Sequence, residues 1–197
     1  MDSTFLQALA QARPDPGGGA AAAHGAALGL ALLEKVVRLE EQRQSRGTGQ
    51  PFPWDDLLRR VRLVAAALGR LQEEDIQAYF NLTQARDSGD PEKVKGALEE
   101  AIGCPLRIMQ QAQEGLGLIS QGGGRCKKHL LSDLLVATEL LGAAFRGAHH
   151  IARANLLFMA RNPRRLVWAE DLDHTLKAAE AMFQQVLADL LERQQCP

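Results

Sequence analysis

Apolar residues recur at spacings of three and four along nearly the whole chain, and no stretch alternates apolar and polar side chains convincingly. Such a pattern predicts helices and no sheet. A first short helix is expected over residues 3–12, before Pro14. A second, built of small residues, starts at Gly18 or Gly19, turns polar from Arg38 and fades at Ser45-Arg46-Gly47-Thr48-Gly49, in a loop that runs to Pro53. The third runs from Trp54 to about Ala85, with Val61, Val64, Leu68, Leu71, Asp75, Ala78 and Leu82 on one face. Asp87-Ser88-Gly89-Asp90-Pro91 is a stop followed by a fresh start, with Asp90 as N-cap and Pro91 at the first helical position. The fourth helix reaches Gly103, breaks or kinks at Pro105 and continues to about Ser120. After a loop at Gly122-Gly123-Gly124, a long helix spans about Lys128 to Arg161 and is stopped by Asn162-Pro163. The last, about Glu170 to Gln194, carries the bundle seam Leu172, Leu176, Ala179, Phe183, Val186, Leu190. The expectation is all-α: one antiparallel helical bundle over residues 1–197 with long central helices.

One segment carries more than packing information. Pro16-Gly17-Gly18-Gly19 opens onto a run of alanine and glycine that includes His24. Consecutive glycines give the backbone access to positive φ and let it approach another surface closely. The helix that follows is thin, so whatever packs on it, a helix or a flat ligand, lies nearly on the backbone.

Composition narrows the class without changing it. With 46% hydrophobic, 24% charged and 5% aromatic residues, the chain fits a globular, Ala/Leu-rich helical protein better than a sandwich or barrel. A formal net charge of -1 argues against nucleic acid and against a polybasic membrane contact. Residues 17–33 are nearly uncharged, but alanine and glycine anchor poorly in lipid and His24 interrupts them, so no membrane partner is expected. Three well-separated cysteines, Cys104, Cys126 and Cys196, imply no disulfide framework. With no secretory pattern at the N-terminus, a cytoplasmic location is expected.

Several residues break the apolar pattern. Asp75 stands where its helix seam calls for an apolar side chain; either it sits at a bundle edge, solvated or paired with an arginine, or it serves a site. Ser132-Asp133 opens the long helix, either as a cap or as a carboxylate at the mouth of a crevice floored by Ala137, Leu140, Ala144, Ile151 and Asn155. Arg125, Lys127 and Lys128 form a basic cluster beside it, as do Arg161, Arg164 and Arg165 further on; each is a solvated loop or a seat for an anionic group. His149-His150 point in different directions on a helix, and Cys126 with His129 lacks a second ligand pair, so no metal is expected. The triple glycines lack the Lys-Ser/Thr ending of a phosphate loop.

Taken in order, Pro16-Gly17-Gly18-Gly19 with its Ala/Gly helix, Glu74-Asp75, Pro105-Leu106-Arg107-Ile108-Met109 and Ser132-Asp133-Leu134 resemble the cyclodeaminase/cyclohydrolase family of folate enzymes, from about Phe5 to Asn162. The length is similar to the stand-alone form. The resemblance implies an all-helical homodimer with a folate site near the subunit interface and no tightly bound cofactor. It implies Asp75 and Asp133 as the catalytic carboxylates. It implies substrate contacts from Pro16, Gly17, Gly18, Gly19, Ser132 and Asn155, with Lys127 or Lys128 on the glutamate tail. The implied reaction is hydrolysis of 5,10-methenyltetrahydrofolate to 10-formyltetrahydrofolate. The alternatives are cyclodeamination of 5-formimidoyltetrahydrofolate with release of ammonia, and a non-catalytic folate-binding or scaffold homologue. The chain departs from the family pattern at Asp15, Ala20, Ile151 and Leu39-Glu40-Glu41-Gln42-Arg43, where the family usually carries Leu-Thr-x-Gly-Lys.

Overall fold

Long amphipathic helices joined by short connections bury their stripes best as antiparallel neighbours. The computed structural model, which describes residues 3–49, 51–159 and 163–195, has this arrangement. Its helices are α1 (Ser3–Leu9), α2 (Gly18–Ser45), α3 (Trp54–Ser88), α4 (Pro91–Gly123), α5 (Leu131–Leu156) and α6 (Arg165–Gln195), with 3-10 turns at Lys128–Leu130 and Leu157–Met159. Helices α2 to α5 close a four-membered ring in up-down-up-down order, and α6 lies outside against α4 and α5. Contacts between Gly18 and Ile151, Gly29 and Ala137, and Lys35 and Asp133 show that α2 and α5 run antiparallel.

The seam expected on α3 is the buried face: Val61, Val64, Leu68, Leu71, Ala78 and Leu82 are in the core. On α6 the same holds for Leu172, Ala179, Phe183, Val186 and Leu190. Helix α2 is long and apolar enough by length and composition to cross a membrane. In this fold its Ala20, Ala23, Ala26, Leu30 and Leu33 are fully buried against the other ring helices. The small residues let α5 approach closely, since a Cβ on Gly29 would lie 3.0 Å from the carbonyl of Ala137.

Several boundaries differ from the sequence expectation. Asp90 does cap α4, accepting from the Glu92 and Lys93 amides. However, α4 runs unbroken through Pro105 and includes Gly122 and Gly123, which are buried against Leu57 and Leu190 and form no loop. Helix α5 ends at Leu156, and α6 begins at Arg165, ahead of the expected start. Neither Ser132 nor Asp133 caps α5: the N-cap is Leu130, without a side-chain bond, and Asp133 lies in the first turn. Arg161 and Asn162 lie outside the described residues.

Candidate functional site

The glycines at the start of α2 meet Asp75 of α3. Gly17 is the N-cap and has no side chain with which to satisfy the first amides of the helix. Asp75 does so from the neighbouring helix: its Oδ2 accepts from the Ala20 N–H at 2.8 Å. This contact explains why position 19 is glycine. A Cβ there would stand 2.5 Å from the carboxyl carbon of Asp75 and 2.6 Å from Oδ2, so no other residue leaves room for the carboxylate. Gly18 serves α5 in the same way, with its absent Cβ 2.9 Å from Ile151 Cδ1. None of these glycines has positive φ; that conformation occurs only at Gly47 and Gly89 among the described residues. Close approach, and not backbone handedness, is what the triple glycine supplies.

Asp75 is therefore neither at a solvated edge nor paired with arginine; the nearby Arg107 bonds Glu74 at 2.8 Å. Burial pushes the Asp75 carboxyl above the usual carboxylate range, and the Ala20 amide offsets only part of the rise. Burial and the Asp75 charge together push the neighbouring Cys104 thiol up to about 12, and its Sγ donates to the Leu71 carbonyl. That thiol is inert as a nucleophile.

Asp75 borders a cleft of about 240 Å³ at the end of the bundle. Its walls include Asp15, the backbone of Gly17, Gly18 and Gly19, Tyr79 and Leu82 of α3, Ala101 of α4, and Ile151 and Asn155 of α5. Asn155 donates from Nδ2 to the Ala101 carbonyl at 2.7 Å. The cleft thus combines a carboxylate of raised pKa, a helix N-terminus and an oriented amide between apolar side chains, the make-up of a small-molecule site. A wider groove of about 640 Å³ beside Phe158 is lined by the charged side chains of Glu92, Lys95 and Arg164 and lacks a buried carboxylate like Asp75.

The remaining candidates stand elsewhere. Asp133 binds Lys35, Oδ2 to Nζ at 2.9 Å, and is part-exposed. From Gly18 to Lys35 along α2 is about 25 Å at 1.5 Å per residue, so within one chain Asp133 and Asp75 do not share a site. Ser132, Lys127 and Lys128 lie at that same far end. The Lys127 amide donates to Oε1 of Glu40, which is 4% exposed and also accepts from Arg43 Nη1 at 2.9 Å. Arg43 in turn contacts His129 Nε2 at 3.3 Å. The departure at Glu40 is thus a buried brace between α2 and the entry to α5. Ala20 contributes only its backbone, whereas Asp15 and Ile151 face the cleft. Sequence reasoning missed Tyr79, one turn after Asp75, and the role of Ala101; the first follows from helical spacing, while the second needs the fold. Among the described residues no group of three His, Cys, Asp or Glu side chains is placed to hold a metal.

Fold and cleft define a helical-bundle protein with a candidate small-molecule site at one end. The chain belongs to the formiminotransferase-cyclodeaminase family, whose profile matches residues 2–165. Its fold is similar to the crystal structure of formiminotetrahydrofolate cyclodeaminase from Thermotoga maritima, with a TM-score of 0.83 and 23% identity over 95% of this chain and 93% of that one. No curated protein matches by sequence.

Proposed function

We propose that the chain is a folate enzyme that closes 5-formimidoyltetrahydrofolate to 5,10-methenyltetrahydrofolate with release of ammonia. Family membership favours this cyclodeaminase chemistry over hydrolysis of the methenyl bridge. The observation that carries the reading is Asp75, a carboxylate held at a helix N-terminus inside an apolar cleft, with its pKa raised by burial.

In this reading N10 attacks the carbon of the protonated formimidoyl group, and the N10–C bond forms as the C=N bond becomes single. Asp75 takes the N10 proton and passes it to the former imino nitrogen. That nitrogen leaves as ammonia, and the amidinium charge remains on the new ring. A base that must also return its proton works best when its pKa is raised toward the working pH. The cleft, at about 240 Å³, is smaller than the about 300–1,000 Å³ of complete small-molecule sites, so it takes the bicyclic ring and leaves the glutamate tail outside. The decisive measurement is ammonia release from 5-formimidoyltetrahydrofolate by purified protein. Release absent from folded protein sinks the proposal, and hydrolysis of methenyltetrahydrofolate in its place restores the cyclohydrolase reading. The homodimer is part of the same proposal and is tested by sedimentation against the monomer mass of 21.5 kDa.

A further inference from the structure

Pro105 interrupts the hydrogen-bond ladder of α4 without breaking the helix. In an α-helix the N–H of residue 105 would bond the carbonyl of residue 101, but proline has no N–H to give. The Ala101 carbonyl is nevertheless satisfied, by Asn155 Nδ2 of α5 at 2.7 Å. Only the nitrogen of an amide can donate to a carbonyl, so this bond also decides which way the Asn155 amide faces. Both Ala101 and Asn155 line the cleft that contains Asp75.

We propose that Pro105 is a positioning residue for this cleft: the carbonyl it leaves open at Ala101 holds the Asn155 amide in one orientation, which offers Oδ1 as an acceptor to a ring N–H of the ligand. Asn155 does so from the α5 wall while Asp75 stands on the α3 wall. The role rests on the folate reading, in which the donor is an N–H of the tetrahydropterin ring. An alanine at position 105 restores the helix's own N–H to the Ala101 carbonyl, which then divides its acceptor capacity between two donors, so the Asn155 amide is held less firmly and is freer to turn.

Two measurements test this together. In a thermal double-mutant cycle, Asn155→Ala lowers the midpoint by about 2–4 °C in the Pro105 background and by much less beside Pro105→Ala, where Ala101 no longer needs the amide. In a binding titration with 5-formyltetrahydrofolate, a stable folate with the same ring, Pro105→Ala stays folded and weakens binding about tenfold, the size of one lost oriented hydrogen bond. A merely structural pairing predicts the thermal coupling with unchanged folate affinity, and that result overturns the positioning role. Absence of thermal coupling, with folate binding intact, overturns it alone. A wild-type chain that binds no folate overturns it together with the folate reading.

Discussion

Asp75 meets two demands that pull its ionisation in opposite directions. As a cap it accepts the Ala20 N–H and favours the anion; as a half-buried group it is driven toward the neutral acid, and burial prevails. Its folded pKa is therefore above the ordinary 3.8. The stability it contributes is fully present below the unfolded value and is lost as pH rises through the raised folded one. Asn at this position keeps an acceptor for Ala20 and removes the buried charge. Asp75→Asn is expected to melt at or above the wild-type temperature at neutral pH, while turnover falls by at least about 100-fold. In the wild type, the acid limb of kcat/KM should lie above the ordinary carboxylate range, rate rising with pH as Asp75 ionises. A limb at the same pH in residual Asp75→Asn activity assigns it to another group. The adjacent glycines give a second contrast at this scale. Gly19→Ala drives a Cβ into the Asp75 carboxyl, with a cost of about 1–3 kcal/mol and loss of activity. Gly18→Ala meets only the flexible end of the Ile151 side chain, Cδ1 at 2.9 Å and Cγ1 at 3.5 Å, which can turn away, and should stay within about 1 kcal/mol of wild type in thermal denaturation.

At the scale of elements, helix type and buried faces were legible because period and caps are local. The α3 seam, the α6 seam and the Asp90 cap all follow from neighbours within a few residues. What failed needed a partner far along the chain. Pro105 reads locally as a break, and its helix continues with the freed Ala101 carbonyl taken up by Asn155, 54 residues after Ala101. Gly122 and Gly123 read as loop, yet they are helical under Leu57 and Leu190. The site divided for a related reason. Gly17, Gly18, Gly19, Asp75 and Asn155 meet in one cleft, but the α4–α5 connection falls at the opposite end of an up-down-up-down ring, taking Lys127, Lys128, Ser132 and Asp133 with it. Four short-linked helices already imply that arrangement, so the separation was available from topology though not from any motif. At that far end Glu40 is the element-level brace. Glu40→Ala leaves Arg43 without its carboxylate and the Lys127 amide without its acceptor, an expected loss of about 3 kcal/mol in chemical denaturation. Glu40→Gln, which keeps an acceptor, should lose less; equal losses would refute the amide's share.

At the scale of the whole molecule, the end of the α4–α5 connection is closed by a helix that lies beyond the family match, which stops at residue 165. Helix α6 packs along α4 and α5 and is tied to α5 by a bidentate pair, Arg146 Nε and Nη2 to Glu180, each at 2.7 Å. Hydrogen bonding and charge hold the Glu180 carboxyl below its ordinary range and raise Arg146 further. In its last turn Arg193 donates to the carbonyls of Gly123 and Cys126, supplying a cation to the C-terminus of α4 from another helix. Asp75 mirrors this at the other end, a carboxyl acceptor brought to the N-terminus of α2 from α3. The N-terminus of α2 and the C-terminus of α4 are thus each closed by a side chain of another helix, which couples the end of one helix to the docking of the next. Removing Arg193 should loosen the connection that carries Cys126 without unfolding the core around Phe145 and Leu134. Cys126 is buried and its thiol is pushed up by burial, so a thiol reagent reaches it only through local opening. In a Cys196→Ser background, Arg193→Ala is expected to speed labelling of Cys126 at least about tenfold, while Cys104, buried beside Asp75, reacts as before. Equal acceleration at both cysteines would mean that α6 stabilises the bundle as a whole and does not clamp one end of it.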